Sequence, residues 1–353
     1  MSKREDLNGL SFDDVFIKPK RMGIAPPEVN LKSELIRGTI SDLPVMPSAM
    51  SMVFSVRLAK ELFKHKIIAP LAREISREKL EEILAAADWK PIVATTSPFR
   101  EEDVHFLLSH PKVDYVILDS VSIHNDRVFD LLNRLDIKKL RKIIIGHIAT
   151  FEAAKDFSHY ELAAVRVGIG PGSICTTTTV TGVGVPQLQA ISEVAEGLKG
   201  TGIPILAEGG IRTTGDMAKA IAAGASGIMM GRIFASTTEA GGEIIVVNDV
   251  EYKSYEGAEY ASVESAEKSS QAHRTEGVSG LVKHIGPAAQ LLEQIARCLS
   301  TAVAFTGAHD LKTFQEKAEF QRVTTAALGQ ANHFGIDIIT KQNRTLTPKF
   351  EEE

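Results

Sequence analysis

Short apolar runs recur along the chain, and the stretches between them repeat apolar residues with the period of a helix. Eight of the runs predict β-strands, at Leu43–Met50, Ile67–Ala72, Pro91–Thr96, Tyr115–Ser120, Lys142–Ile148, Ala164–Gly170, Pro204–Gly210 and Gly227–Arg232. The runs are continuously apolar, which is typical of parallel strands that are buried on both faces. Four of the stretches between them predict amphipathic helices, at Arg77–Ala87, Asn125–Leu135, Gln187–Leu198 and Thr214–Ala223.

The regular alternation of strands and helices predicts a (β/α)₈ barrel of the α/β class, with a doubly wound sheet as the alternative. No other part of the chain has enough apolar runs for a separate core, so we expect residues 1–353 to form one catalytic domain. In such a barrel the chemistry lies at the carboxyl ends of the strands, in the loops that lead to the following helices.

The pattern changes after the eighth predicted strand. Residues Glu239–Glu276 are polar and interrupted by glycine, and we expect a long excursion that contains a β-hairpin. An insertion of this kind usually carries function. Pro287–Val303 predicts a helix that closes the barrel, whereas Gln315–Glu353 has a weak pattern and is interpreted as a tail.

Composition and charge exclude several classes of protein. The 353 residues are 44% hydrophobic, which is ordinary for a globular protein. Two cysteines cannot build a disulfide framework or a cysteine-rich zinc site. The net charge of −5 argues against nucleic-acid binding by the whole chain, and no apolar run suits a membrane span or a signal peptide. We therefore expect a cytoplasmic protein without nucleic-acid or membrane partners.

Glycine is concentrated after three consecutive predicted strands. The sixth strand leads into Gly168–Gly184, which reads GIGPGSICTTTTVTGVG, the seventh ends in EGG at residues 208–210, and the eighth ends in GR at residues 231–232. Glycine lets backbone N–H groups approach phosphate oxygens because no Cβ stands in the way. These strand ends therefore predict a phosphate-binding site, which is common at the late strands of such barrels.

Cys175 lies inside this glycine- and threonine-rich loop. A thiol beside a phosphate site is a candidate nucleophile, provided that a neighbouring group takes its proton. The alternative is that Cys175 is a small buried loop residue. Cys298 lies in the helical pattern LLEQIARCLSTAVAF, and we expect it to fill the core.

Several segments resemble the IMP dehydrogenase/GMP reductase family, in collinear order over most of the chain. The most specific is VGIGPGSICTT followed by TGVGVPQLQAI, which is similar to the catalytic loop of the family. The segments GLSFDDVFIKPKRM, AEGGIRTTGDMAKAIAAGASGIMMG and EGVSGLVKHIG are also similar to it. The resemblance implies a barrel that binds a purine nucleotide and a nicotinamide cofactor.

The resemblance also implies roles for individual residues. Cys175 would attack C2 of the purine, and Thr177 and Glu276 would form a proton relay. The implied nucleotide-binding residues are Ser173, Glu208, Gly209, Gly210, Gly231, Arg232, Tyr255, Gly257, Arg274 and Thr275. The implied cofactor-binding residues are Asp119, Ser120 and His147, and the implied ligands of a K⁺ ion are the carbonyls of Gly168, Gly170 and Cys175.

Sequence features favour the reductase branch of the family. The excursion between Tyr255 and Glu276 contains no Arg-Tyr dipeptide, which is the pair with which dehydrogenases activate the hydrolytic water. The chain also leaves no room for the regulatory tandem that dehydrogenases usually insert in the barrel. We therefore expect a homotetramer that uses NADPH to deaminate GMP reductively to IMP and ammonia, through a covalent intermediate at Cys175. The alternatives are an NAD-dependent IMP dehydrogenase and a nucleotide-binding relative without catalysis.

Some positions depart from the family pattern. Glu208 stands where the family has an Asp near the ribose. The extra methylene adds about 1.5 Å of reach, which could displace a 2′-hydroxyl and favour dGMP over GMP. Arg232 replaces a small residue, and it could pair with the phosphate or form a surface salt bridge. His147 stands where the family has an Asn beside the cofactor, and it is either a structural histidine or a catalytic one.

Overall fold

The computed structural model describes residues 7–73, 75–256 and 279–331. Before the barrel, the chain forms two 3₁₀ turns and three short strands, which are Phe12–Asp14, β1 (Val15–Ile17), Pro26–Glu28, β2 (Ser33–Ile36) and β3 (Thr39–Ser41). The apolar pattern does not predict these elements because they are too short to show a period. β2 and β3 form a hairpin, and the buried Leu35 and Ile36 of β2 pack into the interior of the barrel.

The centre of the structure is a curved sheet of parallel strands. These strands are β4 (Val45–Pro47), β5 (Val93–Thr96), β6 (Tyr115–Asp119), β7 (Ile143–Ile148), β8 (Ala164–Val167), β9 (Ile205–Glu208) and β10 (Gly227–Met230). They pair in the order β4-β10-β9-β8-β7-β6-β5. The first of these strands along the chain, β4, therefore lies beside the last, β10. Ile228 of β10, for example, lies opposite Val45 of β4.

The predicted strand Ile67–Ala72 does not join the hydrogen-bonded ladder of this sheet. Pro70 has no N–H to donate, which prevents a continuous ladder at this point. The segment is nevertheless buried beside β5, where the N–H of Leu71 donates to the carbonyl of Val93 at 2.8 Å. It therefore takes the eighth position of the barrel, between β5 and β4.

One apolar side chain from each of the eight positions points into the barrel. These side chains form one buried cluster, made of Met46, Ile68, Val93, Ile117, Ile144, Ala164, Leu206 and Met229. Their neighbours along each strand belong to the larger core between the strands and the helices. A doubly wound sheet encloses no such interior, so the predicted (β/α)₈ barrel is confirmed.

Helices surround the strands of the barrel. They are α1 (Val56–Phe63), α2 (Arg77–Ala86), α3 (Glu101–Ser109), α4 (Asp126–Asn133), α5 (Ile137–Leu140), α6 (Phe151–Phe157), α7 (Thr177–Thr181), α8 (Gln187–Gly197), α9 (Thr214–Ala223) and α10 (Arg232–Ala235). The four predicted helices are found as α2, α4, α8 and α9. Polar side chains cap the N-terminal ends of several helices. At the start of α9, for example, Oγ1 of Thr213 accepts from the N–H of Asp216 at 3.1 Å.

The excursion after the barrel contains the predicted hairpin, formed by β11 (Ile244–Val247) and β12 (Val250–Glu256). Its turn residues Asn248 and Asp249 have φ of 50° and 61°, as tight hairpin turns require. A third antiparallel strand, β13 (Ser279–Lys283), pairs with β12. Residues 257–278 of the excursion lie outside the described residues.

The chain continues with α11 (Ala288–Ala304), α12 (Leu311–Lys317), β14 (Phe320–Arg322) and α13 (Thr325–Ala331). The predicted helix at Pro287–Val303 is confirmed as α11. The interpretation of the chain from residue 315 as a tail was wrong as far as residue 331, because β14 pairs antiparallel with β1. Residues 332–353 lie outside the described residues.

The prediction that Cys298 fills the core was wrong, since it is exposed on α11. The buried stripe of this helix runs through Leu292, Ile295 and Leu299, and the side chain of Cys298 turns away from it. Within the described ranges, none of the helices combines the length and the apolar character that a membrane crossing requires.

Candidate active site

The loop after β8 carries the candidate nucleophile at the carboxyl end of the barrel. Cys175 is exposed there, and its Sγ lies 3.1 Å from Oγ1 of Thr177. The N–H of Cys175 donates to the carbonyl of Gly172 at 3.1 Å, so the loop turns tightly just before the thiol. The structure thus brings the predicted nucleophile together with a hydroxyl that can exchange a proton with it.

Two glycines allow the loop to start in this way. Gly168 and Gly170 have φ of 140° and 87°, in the region that favours glycine. A Cβ at Gly168 would overlap the carbonyl of Glu208, and a Cβ at Gly170 would overlap Oγ1 of Thr178. The loop therefore packs closely against the end of β9 and against its own helix α7.

α7 is not predicted by the sequence. Its residues are TTTVT, and β-branched side chains disfavour helices, so the run shows no helical signal. The helix begins at Thr177, whose side chain is buried, whereas Cys175 two residues earlier stays exposed. The short helix thus fixes the hydroxyl in the protein and leaves the thiol accessible to a bound molecule.

Residues at the ends of β10 and β12 form a polar cradle beside this loop. Tyr255 of β12 is buried, its hydroxyl interacts with Ser173, and a Cβ at Gly231 would overlap that hydroxyl. Burial raises the pKa of Tyr255 to about 12, so the phenol stays a neutral hydrogen-bond donor. Arg232 begins α10 nearby, half-buried and close enough to interact electrostatically with Tyr255. This cradle suits a phosphate group, because it combines the phenol of Tyr255, the hydroxyl of Ser173, the backbone of a glycine and the guanidinium of Arg232.

Arg166 lies at the centre of the barrel and holds two carboxylates. It shares the inward face of β8 with Ala164, and it is only 3% exposed. Its Nε and Nη2 lie 2.8 and 2.6 Å from Oε2 of Glu208, and its Nη1 donates to Oδ1 of Asp119 at 2.6 Å. The other oxygen of Asp119 lies 3.3 Å from Nη1 of Arg73. The carboxylate of Glu208 thus turns into the barrel, toward Arg166.

The charges of this cluster stabilise one another. Burial alone would raise the pKa of Glu208, but Arg166 and His147 hold that pKa well below its usual range. Burial acts in the same way on Asp119, whose pKa is lowered by Arg166, His147 and Arg73. Burial opposes the charge of Arg166 as well, yet the two carboxylates raise its pKa. Both carboxylates are therefore ionised at neutral pH and act only as acceptors.

His147 closes this network on the side of β7. Its Nε2 lies 3.0 Å from Oε2 of Glu208 and 2.9 Å from Nη2 of Arg166, while its Nδ1 lies 3.2 Å from the carbonyl of Ser120. A carbonyl can only accept, so Nδ1 carries a proton and the ring orientation is fixed. Ser48, buried after β4, interacts with the carboxylate of Glu208 through its hydroxyl.

Two buried polar atoms near these strand ends have no hydrogen-bond partner among the described residues, namely Oγ1 of Thr95 and Oε1 of Gln187. Thr95 follows Val93 by two residues on β5 and therefore shares its inward face. Nε2 of Gln187 donates to the carbonyls of Val167 and Glu208 at 2.9 and 3.0 Å, which ties β8 to β9.

The structure brings most of the predicted site residues to the carboxyl end of the barrel. They are Asp119, Ser120, His147, Gly168, Gly170, Ser173, Cys175, Thr177, Glu208, Gly209, Gly210, Gly231, Arg232 and Tyr255. The other predicted residues lie outside the described residues, and they are Gly257, Arg274, Thr275 and Glu276. In the part of the chain that the structure describes, no three His, Cys, Asp or Glu side chains are grouped as metal ligands.

The site also contains three residues that were not predicted from the sequence, namely Arg166, Arg73 and Ser48. A signal for Arg166 was present, because a charged residue inside the apolar run AAVRVGIG must be paired if the strand is buried. Arg73 and Ser48 gave no comparable signal, since a polar residue at the end of a strand is ordinary.

The chain is similar to known proteins over most of its length. Residues 9–333 match the sequence model of the IMP dehydrogenase / GMP reductase domain. An inosine-5′-monophosphate dehydrogenase of Thermoplasma acidophilum is 32% identical over 343 residues, which cover 94% of this chain and 67% of the relative. That of Borreliella burgdorferi is 29% identical over 397 residues, with 94% and 98% covered. That of Methanocaldococcus jannaschii is 40% identical over 256 residues, and the match spans 66% of this chain and half, 50%, of the relative.

Proposed function

Because the chain belongs to the IMP dehydrogenase/GMP reductase family of purine-nucleotide oxidoreductases, we propose that it converts GMP to IMP and ammonia with NADPH. The observation that carries the proposal is the exposed thiol of Cys175, 3.1 Å from the hydroxyl of Thr177 and beside a cradle suited to a phosphate. Ser173 of the cradle is two residues from Cys175 on the same loop, so one nucleotide can contact both.

The phosphate of the nucleotide binds in the cradle of Ser173, Gly210, Gly231 and Tyr255. Gly210 has a φ of 72°, and a Cβ there would press against Pro171, so a side chain would disturb the loop that forms the cradle. The guanidinium of Arg232 adds a positive charge that can pair with the phosphate. By resemblance, Gly209, Gly257, Arg274 and Thr275 complete the nucleotide site.

In the proposed reaction the thiolate of Cys175 adds to C2 of the guanine and forms a C–S bond. The 2-amino group takes up protons and leaves as ammonia, and Thr177 relays the proton with Glu276 as its partner by resemblance. The nicotinamide cofactor, when bound, supplies a hydride. Cleavage of the C–S bond then returns the thiolate, and in total GMP, NADPH and two protons give IMP, NADP⁺ and ammonium.

The cofactor site lies on the side of Asp119, Ser120 and His147. These residues fit a nicotinamide nucleoside because the partly exposed carboxylate of Asp119 can accept hydrogen bonds from a polar ligand. Their part in the reaction is to bind and orient the cofactor against the purine. Arg73 and Arg166 hold Asp119 in a fixed position for this purpose.

Two candidate reactions have separate support. The reductase reaction is supported by the absence of an Arg-Tyr dipeptide anywhere in the sequence, since this pair serves the hydrolytic step of dehydrogenases. The second candidate is an IMP dehydrogenase that uses NAD, and the names of the similar proteins favour it. Both candidates use Cys175 as the nucleophile.

The proposal extends to three further properties. A K⁺ ion would be held by the carbonyls of Gly168, Gly170 and Cys175, where the left-handed φ of both glycines turns the loop backbone sharply. The ion would fix the loop that carries the thiol, and replacing K⁺ by Li⁺ in the assay tests this role.

We also propose a single catalytic domain that assembles as a cytoplasmic homotetramer. Sedimentation velocity tests the oligomeric state by comparing the measured mass with the 38.3 kDa of one chain.

The deciding experiment incubates the protein with GMP and NADPH, and separately with IMP and NAD⁺, while the absorbance of reduced nicotinamide is followed. We expect oxidation of NADPH with release of one ammonium per turnover. Turnover only of IMP with NAD⁺ would identify the IMP dehydrogenase reaction instead. GMP binding without any turnover would indicate the non-catalytic relative.

Two cysteine variants separate the nucleophile from other effects of a lost thiol. Cys175→Ala should lower kcat by about a thousandfold or more while nucleotide binding persists. The matched control is Cys298→Ala, which removes the exposed thiol of α11 and should leave kcat unchanged. A Cys175→Ala protein with normal kcat would overturn the proposal.

A further inference from the structure

Four groups of the protein surround the carboxylate of Glu208. Arg166 approaches it with Nε at 2.8 Å and Nη2 at 2.6 Å, and Nε2 of His147 lies 3.0 Å from the same oxygen. The hydroxyl of Ser48 is the fourth group. The three nitrogen atoms all lie against Oε2, so they surround this oxygen and hold the carboxylate turned into the barrel rather than toward a molecule at the end of β9.

A nucleotide bound as proposed has its sugar next to this carboxylate. Its phosphate lies at Ser173 and Gly231, and its base lies at Cys175. Glu208 is the last residue of β9, the strand between β8 and β10, whose following loops contribute the thiol and the cradle. The sugar joins the phosphate to the base, so its hydroxyls face the end of β9.

A sugar hydroxyl that is buried without an acceptor destabilises the complex, whereas a hydrogen at the same position does not. We therefore propose that the site favours a 2′-deoxyribonucleotide over the ribonucleotide, and that Arg166 is the positioning residue that sets this preference. Arg166 acts through Glu208, because its two-nitrogen contact keeps the carboxylate turned into the barrel. The inference rests on the proposed function for the pose of the nucleotide, but it holds for either candidate reaction.

The test compares kcat/KM for dGMP and GMP with NADPH, and for dIMP and IMP with NAD⁺. We expect the deoxynucleotide to be preferred by about tenfold or more, the effect of one unsatisfied hydroxyl. Glu208→Asp shortens the side chain so that it cannot keep both contacts with Arg166, and Arg166→Lys removes the planar fork. Each variant should lower the deoxy-to-ribo ratio about tenfold, mainly through KM, because a carboxylate released from Arg166 can turn toward the 2′-hydroxyl and accept from it.

A matched control is Glu152→Asp, the same substitution on the exposed surface of α6, which should leave the ratio unchanged. The ratio is measured within each variant, so a partial loss of folded protein cancels. A wild-type preference for the ribonucleotide, equal use of both sugars, or an unchanged ratio in Glu208→Asp would overturn the proposal.

A binding measurement separates this proposal from the proposed function. Calorimetric titration of the Cys175→Ala protein with dGMP and with GMP measures the sugar preference without turnover. The same titration of the double variant Cys175→Ala/Glu208→Asp tests whether Glu208 causes this preference. Tighter binding of dGMP without turnover of any nucleotide by the wild type would support the sugar preference and overturn the proposed reaction. Failure to bind either nucleotide would overturn both.

Discussion

β8 carries a charged residue between two fully buried valines, Val165 and Val167. The continuous apolar pattern that predicts the strand does not separate its outward side chains from its inward ones. Arg166 is an inward residue near the carboxyl end, and a buried charge there requires partners. The sequence therefore contains a signal for Arg166, but its partners Asp119 and Glu208 are 47 and 42 residues away and follow only from the closure of the barrel.

Replacing Arg166 with Met should destabilise the protein strongly. The substitution leaves the ionised carboxylates of Asp119 and Glu208 buried without their main cation, and we expect a loss of about 3–5 kcal/mol in the free energy of unfolding. Urea denaturation at neutral pH measures this loss. The control is Arg134→Met, whose pair with Glu101 is 57% and 50% exposed and should cost less than about 1 kcal/mol. Equal losses in the two variants would contradict the role of the buried cluster.

The same cluster predicts how stability depends on pH. The pKa of Glu208 is lower in the folded protein than its ordinary value of 4.5, so its stabilising contribution is present above that pH and is lost as the pH falls below it. The free energy of unfolding of the wild type should therefore decline below about pH 4.5. In Glu208→Gln the decline should be smaller, because one of the titrating groups is gone. Urea midpoints measured across this range check the difference, and identical slopes would contradict it.

At the scale of whole elements, the sequence predicts best where a strand or helix is continuous and buried. Seven of the eight predicted strands are found in one sheet, and the five predicted helices are all found. Ile67–Ala72 does not join the hydrogen-bonded ladder because Pro70 has no N–H to donate. The apolar pattern that predicts the strand takes no account of this missing donor. β13 and β14 were missed because their partners β12 and β1 are set by distant parts of the chain, and short strands show no pattern of their own.

The phosphate cradle is formed where β10, β12 and the loop after β8 contact one another, and one added methyl group tests it. Gly231 has an ordinary φ of −84°, so alanine fits its backbone, but a Cβ there would overlap the hydroxyl of Tyr255. We expect Gly231→Ala to raise KM for the nucleotide about tenfold, as the loss of one charge-assisted hydrogen bond does, with little change in kcat. Steady-state kinetics over a range of nucleotide concentrations measures both constants.

Two further variants control for the Gly231 experiment. Gly23→Ala adds the same methyl group where nothing lies within 4 Å, and it should leave KM unchanged. Tyr255→Phe removes the hydroxyl that the added methyl group would displace, so adding it to Gly231→Ala should raise KM little further if loss of that hydroxyl is the cause. An unchanged KM in Gly231→Ala would show that the phosphate binds elsewhere.

Over the whole molecule, contacts between distant parts of the chain hold the barrel closed. β4 pairs with β10, and the interior cluster draws one side chain from each position around the barrel. Outside the barrel, β1 near the start of the chain pairs with β14 near the end of the described residues. The Nζ of Lys20 also lies 2.6 Å from Oε1 of Glu319, beside this pair of strands. No local pattern in the sequence predicts these contacts, because each joins segments that are far apart along the chain.

The pairing of β1 with β14 predicts a difference between two substitutions at one residue. Gln321 lies opposite Phe16, and the flanking bonds run from the N–H of Lys18 to Glu319 and from the N–H of Val323 to Asp14, both at 2.9 Å. The alternation of an antiparallel ladder then directs the N–H of Gln321 toward Phe16. Gln321→Pro removes this donor and should lower the free energy of unfolding by about 1–3 kcal/mol. Gln321→Ala keeps the donor and changes only an exposed side chain, so its urea midpoint should match the wild type. If both variants unfold alike, the two strands do not contribute to the stability of the barrel.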